Sequence, residues 1–168
     1  MTAPRRPRPS RLGDPGRLFA CVLSVVLATT PACTARAGTA GETTALVDRA
    51  VAHILLVGQE QAFTDITRRN GDFVDGELYV FCIAFDGRIL AHGGNPKLVG
   101  KLMLAVRDAE GTLPVVGVIR VAQTQGQGWF AYLWPNLTTG RVQRKTSYVV
   151  RIDNQALCGS GYYDPEPP

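Results

Sequence analysis

The sequence predicts an α+β fold, an antiparallel sheet accompanied by helices, and three stretches predict it. Residues 42–69 carry Leu46, Val47, Ala50, Val51, Ile54, Leu55, Ala62, Phe63 and Ile66 at three-to-four spacing, the period of a helix with one buried face. The apolar run 78–85 meets Asp86-Gly87 and then a second short run, 88–92. Asp-Gly between two such runs signals a hairpin, with a type I′ turn whose two central residues both need φ > 0. Near the C-terminus, residues 129–134, 145–152 and 157–163 read as three strands. The turns joining them are too short for crossover helices, which excludes a doubly wound parallel sheet, and an all-α fold fits no better.

Each element has its own local signal. Gly58 is a soft spot in the long helix, where a bend is expected. Asn70-Gly71 ends the helix, with Arg68 and Arg69 in its last turn favourable to the dipole. Residues 72–76 form a connecting loop, and Gly93-Gly94-Asn95-Pro96 breaks the second strand. Between 101 and 123, apolar residues flank a turn at 108–111 and predict short helices. Gly126 and Gly128 release the strand from Trp129, and residues 135–140 form a loop. Thr146, Tyr148, Val150 and Ile152 alternate onto one face of the next strand, and Asp153-Asn154 turns the chain into the last one.

The N-terminus reads as an export signal over residues 1–33: five arginines, an apolar run at 18–28, then small residues. The run is short for the ~20 residues of a membrane-spanning helix. Two exits compete. Ala35-Arg36-Ala37 fits cleavage before Gly38, while Thr30-Pro31-Ala32-Cys33 resembles the bacterial lipoprotein box, which would acylate Cys33, with Thr30 where that box usually carries Leu. Residues 34–41 read as a linker and 42–165 as a single domain of a periplasmic or cell-envelope protein.

Charge excludes a nucleic-acid partner. The net charge is +4, but five of the 18 basic residues and one of the 14 acidic ones precede Cys33, leaving 13 of each afterwards. The folded part therefore has no excess charge for a phosphate backbone. Of the four cysteines, Cys21 and Cys33 belong to the leader and Cys82 and Cys158 to the domain. An even pair in an exported protein favours a disulfide; two buried free thiols are the alternative. Enzyme signatures are missing: His53 and His92 are too few for zinc spacing, Cys158-Gly159-Ser160-Gly161 lacks the frame of a nucleophile elbow, and no Gly-rich loop opens a helix. No cofactor is expected.

Five segments resemble one family. DGELYVFCIAFDGRILAHGGNPKLVGK, preceded by QAFTDITRRNGDFV, is similar to the first hairpin of the single Cache domains often called type 2, extracytoplasmic ligand-sensing relatives of the PAS fold. GQGWFAYLWPNLTTG, KTSYVVRI and CGSGYY are similar to later strands of that family, in the same order. Two positions depart from its pattern, Leu137 for a usual Pro and Ala84 for a frequent acid. The resemblance implies a sheet of about five strands with the long N-terminal helix packed on one face. It also implies that the first and last strands are neighbours, which brings Cys82 and Cys158 together.

The same resemblance implies a non-catalytic sensor with a ligand site between the sheet and a lid at 93–125, over a floor of the strands from Trp129 and Lys145. Tyr132, Trp134 and Tyr148 would wall it with hydroxyl and indole donors. Lys145 and His92 would meet a short-chain carboxylate or similar small organic ligand. For each there is a plainer role: His92 tying down a loop, Lys145 solvated at a strand end, the aromatics as core filler. A membrane signalling partner would read the occupancy. The competing expectation is a structural or interaction protein with a vestigial pocket, docking or forming a homodimer through the N-terminal helix.

Overall fold

The structure, a computed structural model, describes residues 38–165. The export signal, its two exits and Cys33 lie outside the described residues. Helix α1 (Ala40–Val57) begins two residues before the periodicity does. Thr39 caps it, accepting from the Glu42 N–H while the Glu42 carboxylate takes the Thr39 N–H, a reciprocal capping box that satisfies two otherwise orphan donors. Gly58, with φ 81°, separates α1 from α2 (Gln59–Ile66), so the expected bend is a full break.

The segment expected as a loop holds β1 (Val74–Asp75), which pairs in a small ribbon with β2 (Leu78–Tyr79), the start of the run expected as the first hairpin strand. The hairpin follows as β3 (Phe81–Ala84) and β4 (Ile89–His92). Its turn is not type I′, because among the described residues no non-glycine has positive φ and only Gly87, at 86°, does here. Phe85, Asp86 and Gly87 form a three-residue loop closed by Gly87 N–H on the Ala84 carbonyl and Ala84 N–H on the Arg88 carbonyl. One left-handed glycine after a tight turn is the next hairpin solution when the first central residue stays at negative φ.

After β4 come a single 3₁₀ turn at Pro96–Leu98, an irregular stretch, and α3 (Pro114–Gln125). Where short helices were expected over 101–123 there is one helix and a long loop. Pro114 starts α3 at a position where a missing N–H costs nothing. Strands β5 (Gln127–Asn136), β6 (Arg141–Arg151) and β7 (Ala156–Tyr163) complete a five-stranded sheet of order β4-β3-β7-β6-β5, antiparallel throughout.

The sheet divides the core in two. Leu46, Ala50 and Ile54 of α1 and Ala62 and Ile66 of α2 pack with Val80, Cys82, Ala91 and Cys158 on one side. Tyr79, Phe81, Ile83, Tyr132, Val149 and Leu157 pack with Met103 and with Val115, Val118 and Ile119 of α3 on the other. Each fully buried aliphatic side chain contributes about 1.5–3 kcal/mol, so both faces are needed to hold the sheet. Cys82 and Cys158 are directly opposite one another on β3 and β7, their Cα atoms 4.1 Å apart, and they are bonded. The first and last strands of the five are thus neighbours and are cross-linked under the helices.

Candidate functional site

The register of β5 and β6 decides which side chains meet. Tyr132 is opposite Lys145, Phe130 opposite Ser147, and Trp134 opposite Gln143. Residues directly opposite share a face, so Phe130, Tyr132 and Trp134 stand with Lys145, Ser147 and Val149 on the α3 side. Tyr148 is on the other side. It is opposite Trp129, their ring centres 5.1 Å apart, and its hydroxyl is pushed up by burial and by Asp48 of α1. The expectation that Tyr148 joins the pocket is corrected here. Lys145 and Tyr148 are three residues apart, an odd spacing, and on a strand such a pair cannot face the same way.

On the α3 side a cleft of about 390 Å³ opens between the sheet and the 95–114 segment. Its walls include Leu98, Met103, Val106 and Pro114 from that segment and Leu133, Trp134 and Pro135 from β5, and Tyr79, His92, Asn95, Arg107 and Asp108 add polar groups to the lining. A smaller cavity of about 30 Å³ lies deeper, against Phe81, Ile83, Val118 and Tyr132. His92, Leu98, Met103, Pro114 and Trp134 line both. The two are therefore neighbouring compartments of a largely apolar site with few polar groups, the usual composition of a small-molecule pocket. Of the residues read from sequence, His92 and Trp134 line the cleft and Tyr132 the inner cavity, where its hydroxyl is 2.9 Å from Ser147 Oγ.

His92 is 4 % exposed, and its Nδ1 accepts the Asn95 N–H at 2.9 Å. That fixes a neutral ring with its proton on Nε2, ready to donate. Burial, and then the nearby Lys145 when that amine carries a charge, lower its pKa to about 3. The plainer role, tying down the loop backbone, is thus real, and it leaves the second nitrogen free for another role.

Lys145 has no exposed surface, and no hydrogen-bond acceptor reaches its Nζ. The Nζ sits 3.6 Å from the centre of the Tyr79 ring and 4.8 Å from that of Tyr163. Gly161 makes the room, since a β-carbon there would come within 2.8 Å of Lys145 Cε. Burial holds the amine well below its ordinary range, opposed by the charge of Glu77. Tyr79 lines the cleft on one side and covers this nitrogen. Lys145 is therefore behind the cleft wall, neither solvated at a strand end nor in the lining itself.

Three further residues frame the site, none of them singled out by sequence. Tyr163 donates its hydroxyl to the Pro135 carbonyl at 2.9 Å and lies 3.3 Å from the Tyr79 hydroxyl. Glu77 accepts from Gly38 N–H, Tyr163 N–H and Asn136 Nδ2, tying the start of the described chain to the ends of β5 and β7. Asp108 accepts the Leu133 N–H of edge strand β5 and the Glu110 and Thr112 N–H groups, so it pins the lid to the sheet. These bonds, Leu133's first, lower its pKa against some burial. In sequence Tyr79 sits inside an apolar run and reads as core, while Asp108 reads as a turn residue; their roles need the register and the fold.

Comparison with known proteins agrees with this architecture. A Cache-domain family model matches residues 59–161, more than half the chain, and the chain belongs to the Cache domain family. Three solved structures share the fold. A methyl-accepting chemotaxis protein from Vibrio parahaemolyticus is 20% identical over 73% of this chain and 86% of its own, with a TM-score of 0.64. The periplasmic sensor domain of a chemotaxis protein is 25% identical over 73% and 88%, with a TM-score of 0.58. A Cache chemosensory domain described for carboxylic acid recognition is 22% identical over 74% and 92%, with a TM-score of 0.62. No curated protein matches the chain. Cache domains are extracytoplasmic sensors, and among the described residues no helix is long and apolar enough to cross a membrane.

Proposed function

We propose that this chain is an exported, non-catalytic sensor domain that binds a small organic carboxylate in the cleft under its lid. The observation that carries the reading is Lys145: a wholly buried amine without an acceptor, beside an apolar cleft that also presents a neutral His92 donor. A buried amine with no partner costs free energy, and an arriving carboxylate is the partner whose charge and acceptor atoms match it. The solved Cache domain described for carboxylic acid recognition supports the same ligand class. Export through the N-terminal leader, with an acylated Cys33 or a start at Gly38, would place the domain where a membrane signalling partner reads its occupancy. Intact-mass measurement of the mature protein distinguishes these two ends, and an intact Met1 contradicts export.

A thermal-shift screen of the full-length protein against acetate, propionate, pyruvate, amino acids, amines and purines tests the ligand class. A carboxylate at a hundredfold excess over Kd should stabilise by roughly 2.7 kcal/mol. A flat screen would instead favour docking through α1, a reading that rests on Leu55 and Leu56, each 82% exposed near that helix's C-terminal end.

A further inference from the structure

The charge state of Lys145 carries one more step, which rests on the carboxylate reading and deepens it. An ammonium has three N–H donors and a full charge to satisfy. Every titratable group that faces Lys145 fails to supply a counter-charge at hydrogen-bond distance. Glu77, from the turn between β1 and β2, spends its oxygens on Gly38 N–H, Tyr163 N–H and Asn136 Nδ2. His92 of β4 is neutral, with Nδ1 occupied by the Asn95 N–H. Tyr79 of β2, Tyr163 of β7 and Tyr132 of β5 are buried phenols, held neutral by that burial. The two ring faces at 3.6 and 4.8 Å attract a cation far more weakly than a buried ion's lost hydration costs. The surroundings fit an uncharged amine.

We propose that the cleft binds a monocarboxylate together with one proton, which comes to rest on Lys145 Nζ. The carboxylate enters from solvent as the anion. The amine lone pair takes a proton from the buffer acid, which leaves as its conjugate base, and the new ammonium pairs with the carboxylate once the Tyr79 ring between them turns aside. No other bond changes, and the bound pair is neutral as a whole. Burial holds the free amine below its ordinary range and the bound anion raises it again, so the amine takes up a proton on binding over the pH range between those two limits. The domain then responds to the product of acid anion and proton, so the same anion concentration occupies it less as the medium turns alkaline.

Isothermal titration of the full-length protein with sodium acetate, propionate and pyruvate at neutral pH, in phosphate and in Tris, tests this. The heat should differ between the buffers by the amount that uptake of up to one proton demands, and Kd should weaken, by at most about tenfold per unit, as the pH rises through the range in which the free amine is unprotonated and the bound one is charged. Lys145→Arg, always charged, should abolish both dependences; the two wild-type measurements decide the matter if that variant does not fold. Buffer-independent heats with a flat Kd would overturn proton uptake and leave carboxylate binding standing. Failure of all three acids to bind would sink both.

Discussion

At Lys145 an amine is wholly buried and without an acceptor. Replacing a buried charged or titratable group with an apolar side chain of similar volume often stabilises, by about 1–4 kcal/mol. Lys145→Met should therefore raise the urea midpoint of the ligand-free protein while removing carboxylate binding. Because the folded-state pKa is lowered, the unfolded chain binds the proton better, so the gain is greatest at low pH and shrinks as the pH rises toward ~10. A loss of stability in that variant would contradict the account. His92 gives the second residue-scale test. Its pKa, lowered to about 3 from 6.5, makes the unfolded state bind more protons between those values. Its contribution is complete above pH 6.5 and lost as the pH falls toward 3, about 5 kcal/mol in all. His92→Gln should flatten that part of the stability–pH curve, and NMR at pH 5 should still find His92 neutral with its proton on Nε2.

The cross-strand bond between β3 and β7 and the clasp between the lid and β5 act at the scale of elements. Cys82 and Cys158 are 76 residues apart in sequence, a loop whose closure is worth about 4 kcal/mol in the chain-entropy model. The Cys82→Ala, Cys158→Ala double variant should lose stability of that order, and a denatured, unreduced sample should titrate no domain thiols. Asp108 holds the lid by accepting the Leu133 N–H. Asp108→Ala should speed amide exchange across 99–113 and weaken carboxylate binding, with α1 and α2 unaffected. Its lowered pKa means that the clasp is intact above about pH 4 and released as the pH falls further. These elements were unequally legible. Helical periodicity and the strand runs place α1, β3 and β4, because burial on one face writes itself into spacing. Thr39, the capping residue of α1, lay in the segment read as linker while its partner Glu42 opened the predicted helix, and the hairpin turn went to Gly87 alone because Asp86 keeps negative φ. The lid lacks periodicity since its contacts, such as Asp108 with Leu133, are non-local.

For the molecule as a whole, the sheet is a partition with different work on each side. Helices α1 and α2 and the disulfide cover one face; the lid, α3 and the cleft occupy the other. The order of elements and the neighbouring first and last strands were readable because each signal agreed with one family pattern. The site was readable residue by residue but not as an arrangement: His92 and Trp134 line the cleft, Lys145 lies behind its Tyr79 wall, and the parity of β6 sends Tyr148 beneath α1. The most direct test of the central claim is therefore a side-by-side titration of wild type, Tyr148→Phe and Lys145→Met with the carboxylate that the screen selects. Tyr148→Phe should bind like wild type, and Lys145→Met should bind at least about tenfold more weakly, roughly 1.4 kcal/mol. Full binding by Lys145→Met alongside lost binding by Tyr148→Phe would put the ligand on the helix face and contradict the account.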